Sequence, residues 1–508
     1  MKRSDLLKWG TCLILTMLSG LLVRTAHADD DFWTAGTGDF NTGSNWSLGI
    51  APGFFDDGYI DNGGTANYAS GSLTMGLMSL GFNAGETGTL NVTGGTLAPS
   101  RGFIGQRGTG TATVNGGSFT VGGGSLFIGG TEGSGADTGL GILNISGGPT
   151  SVVTSGDDFQ LGASGSGTLN MSGGYARGAY TVVGKFGTGL WNHSGGVYDE
   201  LNGADIEIGD GGKPEQAGTP GPRTGTINLT GGVIRVSDHM GIGNRNGTGT
   251  VNVSGGALTL TGNPGSTLYV GRGMDWGANQ GGPTTLRVTG DDAIIVANGN
   301  LDMNTSLVST SSTLVAEITG PTHTPISVTG NALIANGNFK VELNGYTPIS
   351  GDSWTIIEAG ADLTADKAAI DAIVSGGGYP TLTHVAPGSA GTVSGPFLST
   401  DFSMASLTPG LSWNVAYTST DVVLSVTGTA ISNGDYDNDG DVDGRDFLVW
   451  QRGGSPSPLS STDLTTWQTN YGTPGPLASV TAVPEPSAVL LVVFGSILGF
   501  STVRGRSK

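Results

Sequence analysis

From about residue 71 to residue 296 the chain alternates apolar and polar residues in short runs, and the runs return. Seven copies read "TLNVTGG" from Thr89, "TATVNGG" from Thr111, "ILNISGG" from Ile142, "TLNMSGG" from Thr168, "LWNHSGG" from Leu190, "TINLTGG" from Thr226 and "TVNVSGG" from Thr250. "TLRVTGD" from Thr285 is a worn eighth copy. Period-two alternation is the signature of a half-buried strand, so Leu90 and Val92 face one side while Thr89, Asn91 and Thr93 face the other. After each Gly-Gly comes a second apolar stretch that ends in a hydrophobic residue followed by glycine. Examples are Ile104-Gly105, Ile128-Gly129, Leu161-Gly162, Val183-Gly184, Ile208-Gly209, Ile242-Gly243 and Val270-Gly271.

Two or three inward residues per strand cannot form a core alone, but stacking one repeat on the next makes the core continuous. The glycines supply positive-φ positions between strands. The longer insertions, such as Gly209 to Arg223, become loops thrown from one corner. The expected fold is all-β, a right-handed parallel β-helix (β-solenoid). A propeller needs about 40 residues or more per blade and fits the spacing poorly. Phe32 to Gly64, with Trp33 and Trp46, reads as an N-terminal cap over the open end, where an unpaired edge would invite aggregation. From Ser306 to Val426 glycine thins and strands lengthen, as in a β-rich C-terminal cap. Thr364 to Val374 is the helix candidate in this part, with Asp362 or Thr364 as its cap. The repeats resemble the autotransporter-type β-solenoids of bacterial surface proteins.

Composition agrees with many tight turns: 94 of 508 residues are glycine, and no G-X-Y period points to collagen. The net charge of −20 gives no basic face for nucleic acid. Residues 1–28 read as a signal peptide: Lys2, Arg3 and Lys8, an apolar run from Cys12 to Val23, then Ala26-His27-Ala28. Removing it leaves no cysteine, hence no disulfide or thiolate chemistry. The C-terminal end carries Pro484, Glu485 and Pro486, an apolar run from Ala488 to about Val503, and then Arg504, Arg506 and Lys508. It resembles the PEP-CTERM sorting signal of bacterial envelope proteins. That resemblance implies a C-terminal transmembrane sorting helix held transiently in the inner membrane, cleavage by an exosortase-type enzyme, and an envelope, outer-surface or extracellular destination.

One stretch departs from this weakly charged background. In "DYDNDGDVDGRD", Asp435 to Asp446, six of twelve residues are Asp. Calcium takes six to eight oxygen ligands from a tight loop. Counting from Asp435, positions 1, 3 and 5 are Asp435, Asp437 and Asp439, and Gly440 makes the turn at position 6. Asp441 offers its carbonyl at position 7, Val442 pins the loop, Asp443 acts through water at position 9, and Asp446 closes it at position 12. Asp446, Trp450 and Gln451 recur as Asp463, Trp467 and Gln468. The segment resembles a dockerin type I module, a small α-helical unit of two calcium loops with a helix after each, whose family binds cohesins. Its second loop, "GGSPSPLSST", lacks the carboxylates and is expected to bind no calcium.

The domain reading is thus 1–28 signal peptide, 29–70 N-terminal cap, 71–296 solenoid, 297–428 C-terminal β cap, 429–475 dockerin-like module, and 476–508 linker and sorting signal. Asn91, Asn144, Asn170, Asn192, Asn228 and Asn252 match a glycosylation sequon only because the repeat recurs, and read as an outward Asn ladder. His193, His239, His323 and His384 have no metal-ligand spacing. Candidate acids for a lyase or glycosidase are Asp157, Asp158, Asp199, Glu200, Asp205, Glu207, Asp210 and Asp238, but no pair stands out from the repeat. The expected function is non-enzymatic: a secreted or surface-displayed structural or adhesive protein, associated with polysaccharide or matrix. The alternative is a carbohydrate-active enzyme, or an accessory subunit of a polysaccharide-degrading assembly recruited to a cohesin-like partner.

Overall fold

The computed structural model describes residues 29–131, 139–200, 203–210, 223–244, 247–260, 265–271, 282–303, 312–379, 390–408, 410–428 and 434–473. The signal peptide and the sorting segment with Pro484, Glu485 and Pro486 lie outside them. Among the described residues no helix is long and apolar enough to cross a membrane. The chain divides into two compact units, one holding the solenoid and the other the acidic module.

The first unit is a β-solenoid whose coils stack through three columns of parallel pairing, in several coils with two of the columns supplied by one long strand. The T-x-N strands form one column. Its register runs Asp39, Asn67, Asn91, Thr113, Asn144, Asn170, Asn192, Asn228, Asn252, Arg287, Val315, Lys340, Asp401. The alternation places side chains as the pattern requires. In Thr87–Val92, Leu90 and Val92 are buried, and Thr89 and Asn91 are half-buried on the other face. The neighbouring inward position stacks Val92, Val114, Ile145, Met171, His193, Leu229, Val253 and Val288 down the core. Parallel stacking begins at Asp30–Phe32 and continues past the repeats to Ser399–Met404. The strand Asp421–Gly428 then pairs antiparallel with Ser353–Ala359.

The hydrophobic-glycine signature has a steric cause. Gly105 sits at φ +70°, and a Cβ there would come 2.0 Å from the Leu140 carbonyl oxygen of the next coil. The Gly-Gly pairs do less than a full corner. Ser166–Gly178, Thr188–Glu200, Thr224–Val236 and Thr248–Leu260 each run through the pair as one strand. The pair sits at a local register shift, as between Met171, Ser172 and Tyr175. Insertions leave the stacking intact: Thr188 and Gly189 pair with Thr224 and Gly225 across the long Gly209–Arg223 connection.

Near the N-terminal end Trp33 and Trp46 are each 2% exposed, form an antiparallel bridge, and meet edge-to-face at 5.1 Å. Helix α1 spans Thr364–Gly376 with Leu363, not Asp362 or Thr364, at its N-cap and no side-chain cap bond; Asp362 Oδ1 accepts from the Thr364 amide at 3.1 Å just ahead of it. Its Ile370 and Val374 pack on Val197, Val233 and Ala257, an apolar stripe on coils more than a hundred residues earlier in the chain.

Candidate metal centre

The acidic module contains two helices, α2 (Gly444–Gln451) and α3 (Ser461–Asn470). Asp443 is the N-cap of α2. Its side chain accepts from the Arg445 amide, while Asp446 Oδ2 accepts from the Asp443 amide at 2.8 Å, which closes a capping box. Asp446 Oδ1 also accepts from the amides of Tyr436 (2.5 Å) and Asp437 (3.0 Å), so a fully buried carboxylate ties the start of the loop to its end. Each carboxylate oxygen has two lone-pair positions, and these bonds leave Asp446 acceptor capacity for a cation.

The turn at position 6 forms as the spacing predicts. Gly440 lies at φ +96°, and its amide donates to Asp435 Oδ2 at 3.1 Å. Asn438, at φ +58°, supplies a further left-handed step. Asp437 Oδ1 and Asp439 Oδ1 accept from the amides two residues on, which aims their remaining oxygens off the backbone. Val442 is 2% exposed and pairs both ways with the segment after α3: its amide donates to the Thr473 carbonyl, and its carbonyl accepts from Gly472.

The loop gathers two groups of three carboxylates, Asp435, Asp437 and Asp439, and Asp441, Asp443 and Asp446. Within each group the ligand atoms lie within 4.8 Å of one another. Asp441 enters differently from its expected carbonyl role. Its carboxylate joins the second group, and its Oδ1 is buried with no hydrogen-bond partner. Desolvation first, then the charges of neighbouring Asp residues, push the Asp437 and Asp441 carboxyls above the usual range. The single cation paired with the loop among the described residues is Arg445, 3.3 Å from Asp439 and itself largely exposed. Repelling carboxylates, an orphaned buried oxygen and an all-oxygen donor set fit a hard divalent cation, and calcium by its tolerance of loop geometry. Asp435, Asp437, Asp439, Asp441, Asp443 and Asp446 would hold it, and the ion would supply the charge that lets the loop close.

The second half of the module repeats the frame without the carboxylates. Asp463 caps its own loop by accepting from the Ser457 amide at 2.7 Å, and Ser460 is the N-cap of α3. Each tryptophan reaches across to the opposite cap: Trp450 Nε1 donates to the Ser460 carbonyl at 3.0 Å, and Trp467 Nε1 donates to the Asp443 carbonyl at 2.7 Å. The recurrence of Asp-x-x-x-Trp-Gln marked this pseudo-symmetry; the reciprocal indole bonds were not legible from it. The second loop is closed by the Asp463 carboxylate.

The candidate acids of the solenoid do not assemble into one cluster. Asp199 pairs with Arg235 and accepts from Tyr175 at 2.7 Å. Asp157 accepts from Ser125, Asp158 from Gln160, and Asp205 from the His239 amide, while Asp238 meets the His239 ring at 3.4 Å. Glu207 and Asp210 are buried. Glu200 is 5% exposed, and burial outweighs its contact with Thr181 and holds its pKa well above the usual range. His193 lies wholly in the core beside Trp191, and desolvation lowers its pKa to about 4. His384 lies outside the described residues. No family model, curated protein or solved structure matches the chain.

Proposed function

We propose that the chain is a non-enzymatic, secreted or surface-displayed structural or adhesive protein. In this reading a right-handed β-solenoid is extended by a calcium-braced, dockerin-like module and routed to the cell surface by its PEP-CTERM tail. The observation that carries the reading is the solenoid's outward T-x-N face. Asn170 Nδ2 donates to Asn144 Oδ1 at 3.0 Å, and the Asn192, Asn228 and Asn252 amides repeat that bond at 2.9 Å. A face spent on amide-to-amide bonds suits a rigid rod rather than a catalytic cleft. Right-handed winding follows from the strong preference of parallel crossovers for that hand. Calcium outside the cell would keep the module closed.

A second reading, a carbohydrate-active enzyme or accessory subunit, has one observation in its favour. Burial pushes the Glu200 carboxyl well above its usual range, the direction a general acid needs, and the Asp205 charge acts the same way. The test uses the secreted chain with calcium against a panel of acidic and neutral polysaccharides, reading bound protein and released oligosaccharide together. Binding without release is the expected result. Release that disappears in Glu200→Gln establishes the enzyme and sinks the scaffold. No binding to any polysaccharide restricts the role to structure or to a protein partner.

A further inference from the structure

A cavity of about 430 Å³ opens where parallel stacking gives way to the antiparallel pair. The strand Ser353–Ala359 stacks in parallel on Ile326–Val328 and pairs on its other edge with Asp421–Gly428. A register shift between Thr355 and Ile357 puts the extra residue Ile356 inside. Both Ile356 and Ile357 are buried, so Ser353, Thr355 and Glu358 keep to the cavity side. Bulges of this kind re-aim side chains.

The bulge leaves Glu358 directly opposite Asp421. Like charges facing each other across an antiparallel ladder are destabilising. Neither carboxylate forms an ion pair with Lys or Arg among the described residues. Asp421 Oδ2 accepts from the Thr418 and Thr420 hydroxyls at 3.0 and 2.8 Å. Desolvation and then the Asp421 and Asp366 charges raise the Glu358 pKa. His323 also lines the cavity; it is 9% exposed, with Nε2 3.4 Å from the Val288 carbonyl. Thr322 beside it donates its hydroxyl to Asp291 at 2.8 Å.

We propose that this cavity binds an amino sugar through its ammonium group, held between Glu358 and Asp421. Two carboxylates with no counter-ion call for a cation. The volume falls within the roughly 300–1,000 Å³ of small-molecule pockets and far exceeds what a bare ion needs. A metal would also want six to eight converging oxygens, which the two carboxylates do not supply. The hydroxyls of Ser353 and Thr355 match a hydroxyl-rich ring better than an aliphatic polyamine. This assignment rests on the glycan-associated reading for the source of its ligand.

The test is calorimetric titration of the calcium-loaded secreted chain with a glucosamine tetrasaccharide, beside its N-acetylated counterpart, spermidine and excess calcium. The glucosamine oligomer should bind, and the N-acetylated one about tenfold or more weaker. Glu358→Gln and Asp421→Asn should each cut affinity about tenfold. Both substitutions relieve repulsion, so neither should lower the melting temperature. Equal binding of the two oligomers, unchanged affinity in Glu358→Gln, or equal or tighter binding of spermidine overturns the proposal, as does competition by calcium. Polysaccharide binding that persists undiminished in both variants would sink this pocket while leaving the glycan-associated reading intact.

Discussion

His193 fills a position that its coil neighbours give to Met171 and Leu229. Desolvation disfavours its charged form, and the Gly196 carbonyl 3.3 Å from Nε2 offsets only part of that cost. Its folded pKa is depressed to about 4 against an ordinary value of 6.5. Above pH 6.5 both states are neutral and the group costs nothing. As pH falls through 6.5 toward 4 the unfolded chain takes up a proton that the folded chain refuses, and stability is lost, by about 3 kcal/mol at the limit. His193→Leu should therefore flatten the loss of melting temperature between pH 6.5 and 4 relative to wild type. Parallel acid sensitivity of the two proteins would refute a neutral, buried imidazole. At Asp441 the same scale predicts a different readout. Asp441→Ala removes an orphaned buried oxygen, so it should weaken calcium affinity and yet stabilise the calcium-free module, as followed by chelator-dependent calorimetry.

Among the elements, the T-x-N column is a hydrogen-bonded object in its own right. Asn91 donates to Asn67 at 2.9 Å, and an unbroken run links Asn144 to Asn252, but Thr113 separates the two pieces. Thr113→Asn should join them, adding up to two amide bonds and about 1 kcal/mol. Asn192→Ala should do the reverse, leaving half-buried groups on Asn170 and Asn228 without their partner, at about 1–3 kcal/mol. Chemical denaturation of both variants checks the pair, and equal stability would mean the ladder is solvated and idle. Helix α1 is the other element with a clear role. Ile370→Ala should cost about 2–4 kcal/mol by opening a cavity over Val197 and Val233. It should also raise hydrogen exchange on those strands.

For the molecule as a whole, stacking is one-dimensional, so each coil supports only its neighbours and the interior tolerates no misfit. A Cβ on Gly167 would lie 2.1 Å from the Ile128 carbonyl oxygen and 2.3 Å from the Gly162 amide. Gly167→Ala should split thermal unfolding into two transitions, one for the coils on each side of the defect. A single sharp transition would show that α1 and the antiparallel closure couple the coils into one unit. Calcium should act on the other unit: at a hundredfold excess over Kd it adds about 2.7 kcal/mol there. A chelator should therefore shift the module's transition and leave the solenoid's in place.

The repeat by itself determined the coil. Alternation fixed which residues face inward, the hydrophobic-glycine steps fixed where the backbone turns, and the Asp ladder around Gly440 fixed one candidate cation loop. These are local properties, set by side-chain period and by φ, and a sequence carries them in the open. Tertiary structure decided what depends on distant residues meeting. Helix α1 covers a stripe on much earlier coils, and Trp450 and Trp467 each donate to the carbonyl of the other helix's N-cap residue. Glu358 faces Asp421 across a bulge that no spacing announces. Each of these arises when separate elements pack together, and a pattern with period two or three residues holds no record of such a meeting.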